Sequence, residues 1–194
     1  MNLNTSQIII RAAVKEDART IARLYQLSSD GVADYIWSKL ATLHEELLDV
    51  GEKRYQREGF SFSYENCTVV EYRDAIIGMM VAFPMIVDPD YVEEDPVLVP
   101  YNILEEDQSF YICGIALFPD YRGQGIGQQL LKLAEDKAIN LSLKKLSLIV
   151  FLQNTDAYRL YQKLGYIEIA RQRIIEHPLI HLSGDAILMV KLLD

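Results

Sequence analysis

The chain is short of cysteine, of positive charge and of long apolar runs, and each shortage excludes a class of protein. Only Cys67 and Cys113 occur in 194 residues. Two thiols without motif spacing support neither a disulfide framework nor a zinc site, and both lie in strand-like runs where unpaired cysteines are usually buried. The apolar runs are about strand length, far below a membrane span. Residues 1–7 have neither the basic start nor the apolar core of a secretory signal, so the expected location is the cytoplasm. Lys and Arg number 19 against 28 Asp and Glu, a formal net charge of −9. That balance argues against nucleic acid or an anionic membrane as a main partner and is compatible with a cationic substrate.

What is present is an ordinary globular composition, half hydrophobic and 24% charged. Its length predicts a single domain spanning residues 1–194 with one core. Residues 8–14 read as an opening strand. A helix is predicted from about Glu16, with Ile21, Leu24, Tyr25 and Ser28 along one face, and Asp30-Gly31 breaks it. One further helical region should carry Ile36, Leu40, Leu43, Leu47 and Leu48. Residues 68–72 and 75–83 read as two strands of a hairpin turning at Arg73-Asp74, without the usual Asn-Gly or Asp-Gly pair. Residues 84–108 form an acidic, proline-punctuated loop or insertion with room for a helical turn. A strand at 109–118, a helix at about 125–140 and a strand at 145–152 follow. A short helix then ends at Gly165, and the last two strands form a hairpin around His177, Pro178 and His181. Strands and helices in this order predict an α/β fold, with a mixed central sheet of about six to seven strands flanked by about four helices.

The most informative segment is residues 120–127, Asp-Tyr-Arg-Gly-Gln-Gly-Ile-Gly, between a strand and a helix. A glycine-rich turn that opens a helix offers unpaired N–H groups and the positive end of the dipole to a phosphorylated ligand. No lysine follows Gly127, so a nucleotide P-loop is excluded. The spacing Gly-x-Gly-x-Gly, late in the chain, also fits a dinucleotide fingerprint poorly. The remaining pattern is Arg/Gln-x-x-Gly-x-Gly/Ala, matched by Arg122, Gly125 and Gly127.

With that pattern the chain resembles the GNAT superfamily of N-acetyltransferases. The similarity covers residues 115–127, followed by a Leu-Leu helix. A second block, Asn154-Thr-Asp-Ala-Tyr-Arg-Leu-Tyr-Gln-Lys-Leu-Gly-Tyr166, resembles the family's later Asn-x-x-Ala-x-x-Leu-Tyr-x-x-x-Gly-Phe motif. The resemblance implies that the loop amides of Arg122, Gly123, Gln124, Gly125, Ile126 and Gly127 bind the pyrophosphate of acetyl-CoA. Glycine there admits the backbone to the phosphates without Cβ interference. It further implies that the backbone of Ile115 and Leu117 pairs with the pantetheine arm, and that Gly114 marks a bulge that splays the sheet. Asn154 is implied to cap a helix, contact the cofactor, or both.

Direct acetyl transfer to an amine requires a neutral amine, a polarised thioester carbonyl and a proton donor for the leaving thiolate. An alkylamine with a pKa near ~10.4 is mostly protonated at neutral pH, so a base or a water chain must deprotonate it. By the resemblance, a backbone N–H near Leu117 polarises the carbonyl and Tyr161 is the general acid. By periodicity alone Tyr161 reads equally as a core tyrosine, because Ala157, Leu160, Tyr161 and Leu164 share one stripe. No carboxylate occurs in residues 109–118 or 146–152. Glu71, Glu105, Glu106, Asp107 and Glu176 therefore remain candidates for the base, beside a water-mediated route. His177 and His181 are expected in a loop and not as metal ligands; no metal is predicted. Trp37 reads as helix packing and, with Tyr35, lies where relatives build an acceptor pocket. The expected partner is a small-molecule or peptide amine, cationic to match the acidic loop, and a homodimer is left open. Two other readings stand beside this one: a non-catalytic acyl-CoA-binding module, and a transferase of a longer acyl group.

Overall fold

A computed structural model describes residues 7–193. Seven strands form one mixed sheet: β1 (Ile8–Ala12), β2 (Cys67–Tyr72), β3 (Ala75–Met85), β4 (Ser109–Leu117), β5 (Lys145–Phe151), β6 (Ile167–Arg173) and β7 (Asp185–Leu192). Their order is β1-β2-β3-β4-β5-β7-β6. The pairs β1/β2, β2/β3, β5/β7 and β6/β7 are antiparallel. Strands β4 and β5 are parallel, joined through helix α5 (Ile126–Asn140), because a parallel pair needs a crossover. Their ladder aligns Phe110, Tyr111 and Ile112 with Leu146, Ser147 and Leu148. The other helices are α1 (Ala18–Ser28), α2 (Val32–Leu40), α3 (Leu47–Tyr55), α4 (Val99–Ile103) and α6 (Thr155–Lys163). The chain divides into two compact units, one of Met1–Ala82 and Gly114–Lys132, the other of Phe83–Cys113 and Leu133–Asp194.

In the first unit, α1 buries Ile21, Leu24 and Tyr25 of the predicted stripe together with Ala18 and Ala22, while Ser28 is half-buried. Tyr25 is the centre of an aromatic cluster, with ring centroids 6.4 Å from Trp37, 5.8 Å from Tyr55 and 5.9 Å from Phe62. Gly51 lets α3 approach this cluster, since a Cβ there would stand 2.5 Å from the Trp37 ring. Trp37 is thus a packing residue. The region predicted as one helix is two, because Glu45 Oε2 accepts both the backbone N–H (3.0 Å) and the hydroxyl (2.9 Å) of Thr42. Such local side-chain bonds compete with helix continuation. Leu43 falls in this break and is 86% exposed, not on an apolar face.

The opening strand stops at Ala12, two residues earlier than predicted, because Val14 begins a turn. Asp17 accepts the Val14 N–H at 2.9 Å and an Arg11 guanidinium N–H at 2.7 Å. Arg11 also donates to Glu71 at 2.8 Å. Burial alone would raise the Asp17 pKa, but the bonds from Arg11 and Val14 outweigh it and hold the carboxyl below its ordinary value. The β2/β3 hairpin turns at Arg73 (φ 50°) and Asp74 (φ 62°), both left-handed without glycine.

In the second unit, β5 and β7 carry a core that includes Leu146, Leu148, Ala186, Ile187, Leu188 and Met189. Ser109 and Ser147, both fully buried, place their hydroxyl oxygens 2.6 Å apart between β4 and β5. The Ser109 hydroxyl also lies 2.7 Å from the Glu106 carbonyl, to which it donates. Residues 84–108 include the short helix α4, with Pro100 in its first turn where a missing N–H costs nothing.

Candidate active site

The first unit builds a strand-turn-helix corner from the second half of β4. Two glycines outside the motif set that strand. At Gly78 on β3 a Cβ would stand 2.3 Å from Leu117 Cδ2 and 2.9 Å from the Ala116 carbonyl, so only glycine lets β3 lie against this stretch. A lone glycine within a strand is a recognised sign of such close approach, a signal passed over in the sequence reading. At Gly114 a Cβ would stand 3.0 Å from Ser28 Oγ and 3.3 Å from the Tyr25 ring. The absent side chain at Gly114 thus makes room for α1, a packing reason independent of any bulge.

Beyond Leu117, a tight turn at Pro119–Tyr121 is closed by Tyr121 N–H to Phe118 O (3.0 Å) and Arg122 N–H to Pro119 O (3.2 Å). Arg122 Nε donates to the Leu117 carbonyl at 3.0 Å, so this side chain staples the loop to the strand. Gly123 (φ 72°) and Gly125 (φ 78°) take left-handed backbone, which explains two of the three glycines from within the chain. Gln128 and Gln129 donate to the Gly125 carbonyl and start α5, and the fully buried Ile126 side chain anchors it. Gly127 is different. Its φ is not positive, and a Cβ there would meet nothing within 4 Å, as is also true at Gly123 and Gly125. Neither strain nor crowding inside the chain requires glycine at 127.

The second unit holds α6. Asn154 caps it, accepting the Ala157 N–H at 3.3 Å, as one of its two predicted roles required. At the other end Gly165 (φ 89°) donates to the Gln162 carbonyl and Tyr166 to the Tyr161 carbonyl, a Schellman closure. Tyr161 is thereby fixed by its own carbonyl and by its ring, 5.7 Å from that of Tyr166. It is half-buried, and burial pushes its phenol up to about 12. A phenol so shifted stays protonated across the physiological range and can donate. Tyr158 bonds Glu168 at 3.0 Å at the surface.

The candidate bases separate clearly. Glu71 is held by Arg11 and Glu106 by Lys145. Asp107 accepts the Val87 N–H, which lowers its pKa, and Glu176 is exposed. Glu105 is half-buried, and its pKa is raised, by burial first and by Glu93, against a lowering bond from Asn102. His177 Nδ1 accepts the Leu179 N–H at 3.2 Å, which makes it part of a turn. Among the described residues, no group of three His, Cys, Asp or Glu side chains could hold a metal ion. Among them, too, no helix is long and apolar enough to cross a membrane. Among the described residues, neither cysteine forms a disulfide. On β4, alternate positions 111, 113, 115 and 117 keep accessible surface while 110, 112 and 116 are buried.

The profile of the acetyltransferase (GNAT) family matches residues 33–166. An uncharacterised N-acetyltransferase of Bacillus subtilis strain 168, YdgE, is 35% identical over 63 residues, 32% of this chain. The match spans only 40% of that relative's length. The thialysine N-epsilon-acetyltransferase of Bos taurus is 26% identical over 165 residues, 81% of this chain and 83% of that protein. A variant of the spermidine N-acetyltransferase SpeG from Vibrio cholerae superposes with a TM-score of 0.62 at 21% identity, over 96% of this chain and 94% of that one. With the family profile covering more than half of its length, this chain belongs to the acetyltransferase (GNAT) family.

Proposed function

We propose that this protein is an acetyl-CoA-dependent N-acetyltransferase that moves an acetyl group directly to a primary amine, with residues 1–194 acting as one enzyme domain. The observation that carries the reading is Gly127, whose missing side chain leaves open space in front of a helix N-terminus and serves no need of the chain itself. A pyrophosphate brought against the amides of residues 122–127 would use that space. Ile115 and Leu117 lie past the β4/β5 ladder, where the pantetheine arm would pair with backbone. The Leu117 carbonyl already accepts from Arg122, so its N–H is the group left to the ligand in this scheme.

Acetyl-CoA supplies an activated thioester carbonyl. Tyr161, protonated and fixed at the end of α6, would give its proton to the departing sulfur. The acceptor is a cationic small molecule or a peptide amine. Net charge, the acidic residues at 84–108 and the relatives named for spermidine and thialysine all support a cationic amine. The test is thiol release by the purified chain with acetyl-CoA and a panel of spermidine, glucosamine, a free N-terminal peptide and neutral aromatic amines. Release that depends on the cationic amines is expected. Release confined to neutral acceptors, or independent of any amine, would overturn the substrate assignment.

A further inference from the structure

The second unit buries a hydroxyl that its own packing does not use. Tyr166, between α6 and β6, is 2% exposed, and its phenol oxygen has no hydrogen-bond partner among the described residues. A buried polar atom left unmet is costly, and in native proteins nearly all such atoms bond to protein or to ordered water. The motif that residues 154–166 resemble ends in Phe, so the bare ring is enough to fill this place. Two groups of the same unit stand close to the hydroxyl. The Tyr161 ring is 5.7 Å from that of Tyr166 and tilted 57° to it, and the Tyr166 N–H donates to the Tyr161 carbonyl at 3.0 Å. On α5, Glu135 is paired with Lys191 of β7. Burial first, then Tyr161 and Glu135, hold the Tyr166 phenol well above its ordinary value. Tyr166 therefore keeps its proton and has a hydrogen bond to give.

We propose that Tyr166 gives this bond, through one ordered water, to the Tyr161 oxygen as Tyr161 surrenders its proton. Tyr166 is then a positioning residue that acts through Tyr161, and the inference rests on the acetyltransferase reading above. A thiol ionises near ~8.5, whereas the Tyr161 phenol is pushed up to about 12, so moving its proton to a thiolate is uphill by on the order of a thousandfold. A hydrogen bond donated to the phenolate favours the charged form and narrows that gap. A water suits both ends, since it accepts from the Tyr166 hydroxyl and donates to the Tyr161 oxygen. In the transfer the Tyr161 O–H bond breaks and leaves its pair on oxygen. The S–H bond forms with the pair that the broken C–S bond left on sulfur. The proton shed by the amine nitrogen as the amide forms restores Tyr161, and Tyr166 keeps its own proton throughout.

The test compares wild type, Tyr166→Phe, Tyr161→Phe and the double variant, with acetyl-CoA and spermidine. Tyr166→Phe removes one oxygen and keeps the ring, so kcat should fall by about threefold to tenfold, the worth of one hydrogen bond made in the transition state. KM for both substrates and CoA affinity should stay within about twofold. The urea midpoint should hold or rise, because the lost hydroxyl has no protein partner among the described residues. Where Tyr161 is already Phe there is no phenolate to meet, so adding Tyr166→Phe should change kcat by less than about twofold. A readout independent of turnover is an atomic-resolution crystal structure, in which one ordered water should join the two hydroxyls in wild type and be absent from Tyr166→Phe. Wild-type kcat in Tyr166→Phe, an equal loss in both backgrounds, a lowered urea midpoint, or hydroxyls with no water between them would overturn the inference. Wild-type chain that binds CoA but acetylates no amine would overturn the acetyltransferase reading itself, and it would do so in the wild-type arm alone.

Discussion

The loop at residues 122–127 presents backbone, whereas the segment at 84–108 presents side chains. In the loop, three glycines face open space and one buried isoleucine anchors the helix behind them. In the segment, Tyr91 is bonded to Glu93, Asn102 to Glu105, and the buried Tyr101 hydroxyl has no partner among the described residues. A backbone cradle works by what is missing, so any added atom obstructs it. A side-chain site works by what is added, so it degrades in proportion to the group removed. The two therefore fail differently under mutation.

The largest contrast is expected at Tyr161. Tyr161→Phe keeps the ring against Tyr166 and deletes only the hydroxyl, so kcat should fall about a hundredfold. CoA affinity, measured by calorimetry, should hold within about twofold. An unchanged kcat would remove Tyr161 as the proton donor. Gly127→Ala tests the cradle from the opposite side. A Cβ there meets no protein atom, and alanine is the better helix former by ~1 kcal/mol. The free chain should therefore be stabilised by up to that amount while CoA binding weakens by about tenfold, or ~1.4 kcal/mol. Opposite signs in one variant are the mark of a glycine kept for a ligand, and a variant that binds CoA normally would break the comparison.

Two changes in the same unit but outside the loop sharpen it as controls. Asp17→Asn should cost about 1 kcal/mol at pH 7, discounted because Arg11 is a third exposed. The folded pKa of Asp17 is depressed, so the wild-type advantage is full above the unfolded value near ~3.9 and is lost as pH falls through the folded one. Urea unfolding at pH 7 and pH 3 should show the gap between the two proteins closing at the lower pH. The smallest effect is at the β2/β3 turn. Asp74→Gly relieves a left-handed residue at φ 62° and should add up to about 1 kcal/mol. Neither control should alter CoA affinity.

How much of this was legible follows from the same contrast. The strands announced themselves as short runs of apolar, β-favouring residues, and the loop by glycine spacing, because backbone geometry constrains residue type directly. The break after α2 was not legible, since it depends on Glu45 folding back onto Thr42, a contact with no periodic signature. Glu105 was one of five indistinguishable carboxylates until Arg11, Lys145 and the Val87 amide were seen to occupy three of the others. What separates it from the exposed Glu176 is that it is half-buried, and sequence does not record which loop carboxylate the fold covers. Asn154 and Gly165 bracket α6 as their types predict, yet the ring that fixes Tyr161 comes from Tyr166, just beyond the helix end.

The buried serine pair between β4 and β5 has a direction. Ser109 has one hydroxyl proton and gives it to the Glu106 carbonyl, so the proton between the two oxygens belongs to Ser147. Loss of the Ser147 hydroxyl leaves Ser109 satisfied, whereas loss of the Ser109 hydroxyl strands Ser147 in a fully buried place. The pair can therefore be dismantled in only one order without passing through a damaged protein, and a lineage that replaces it with apolar residues must change position 147 first.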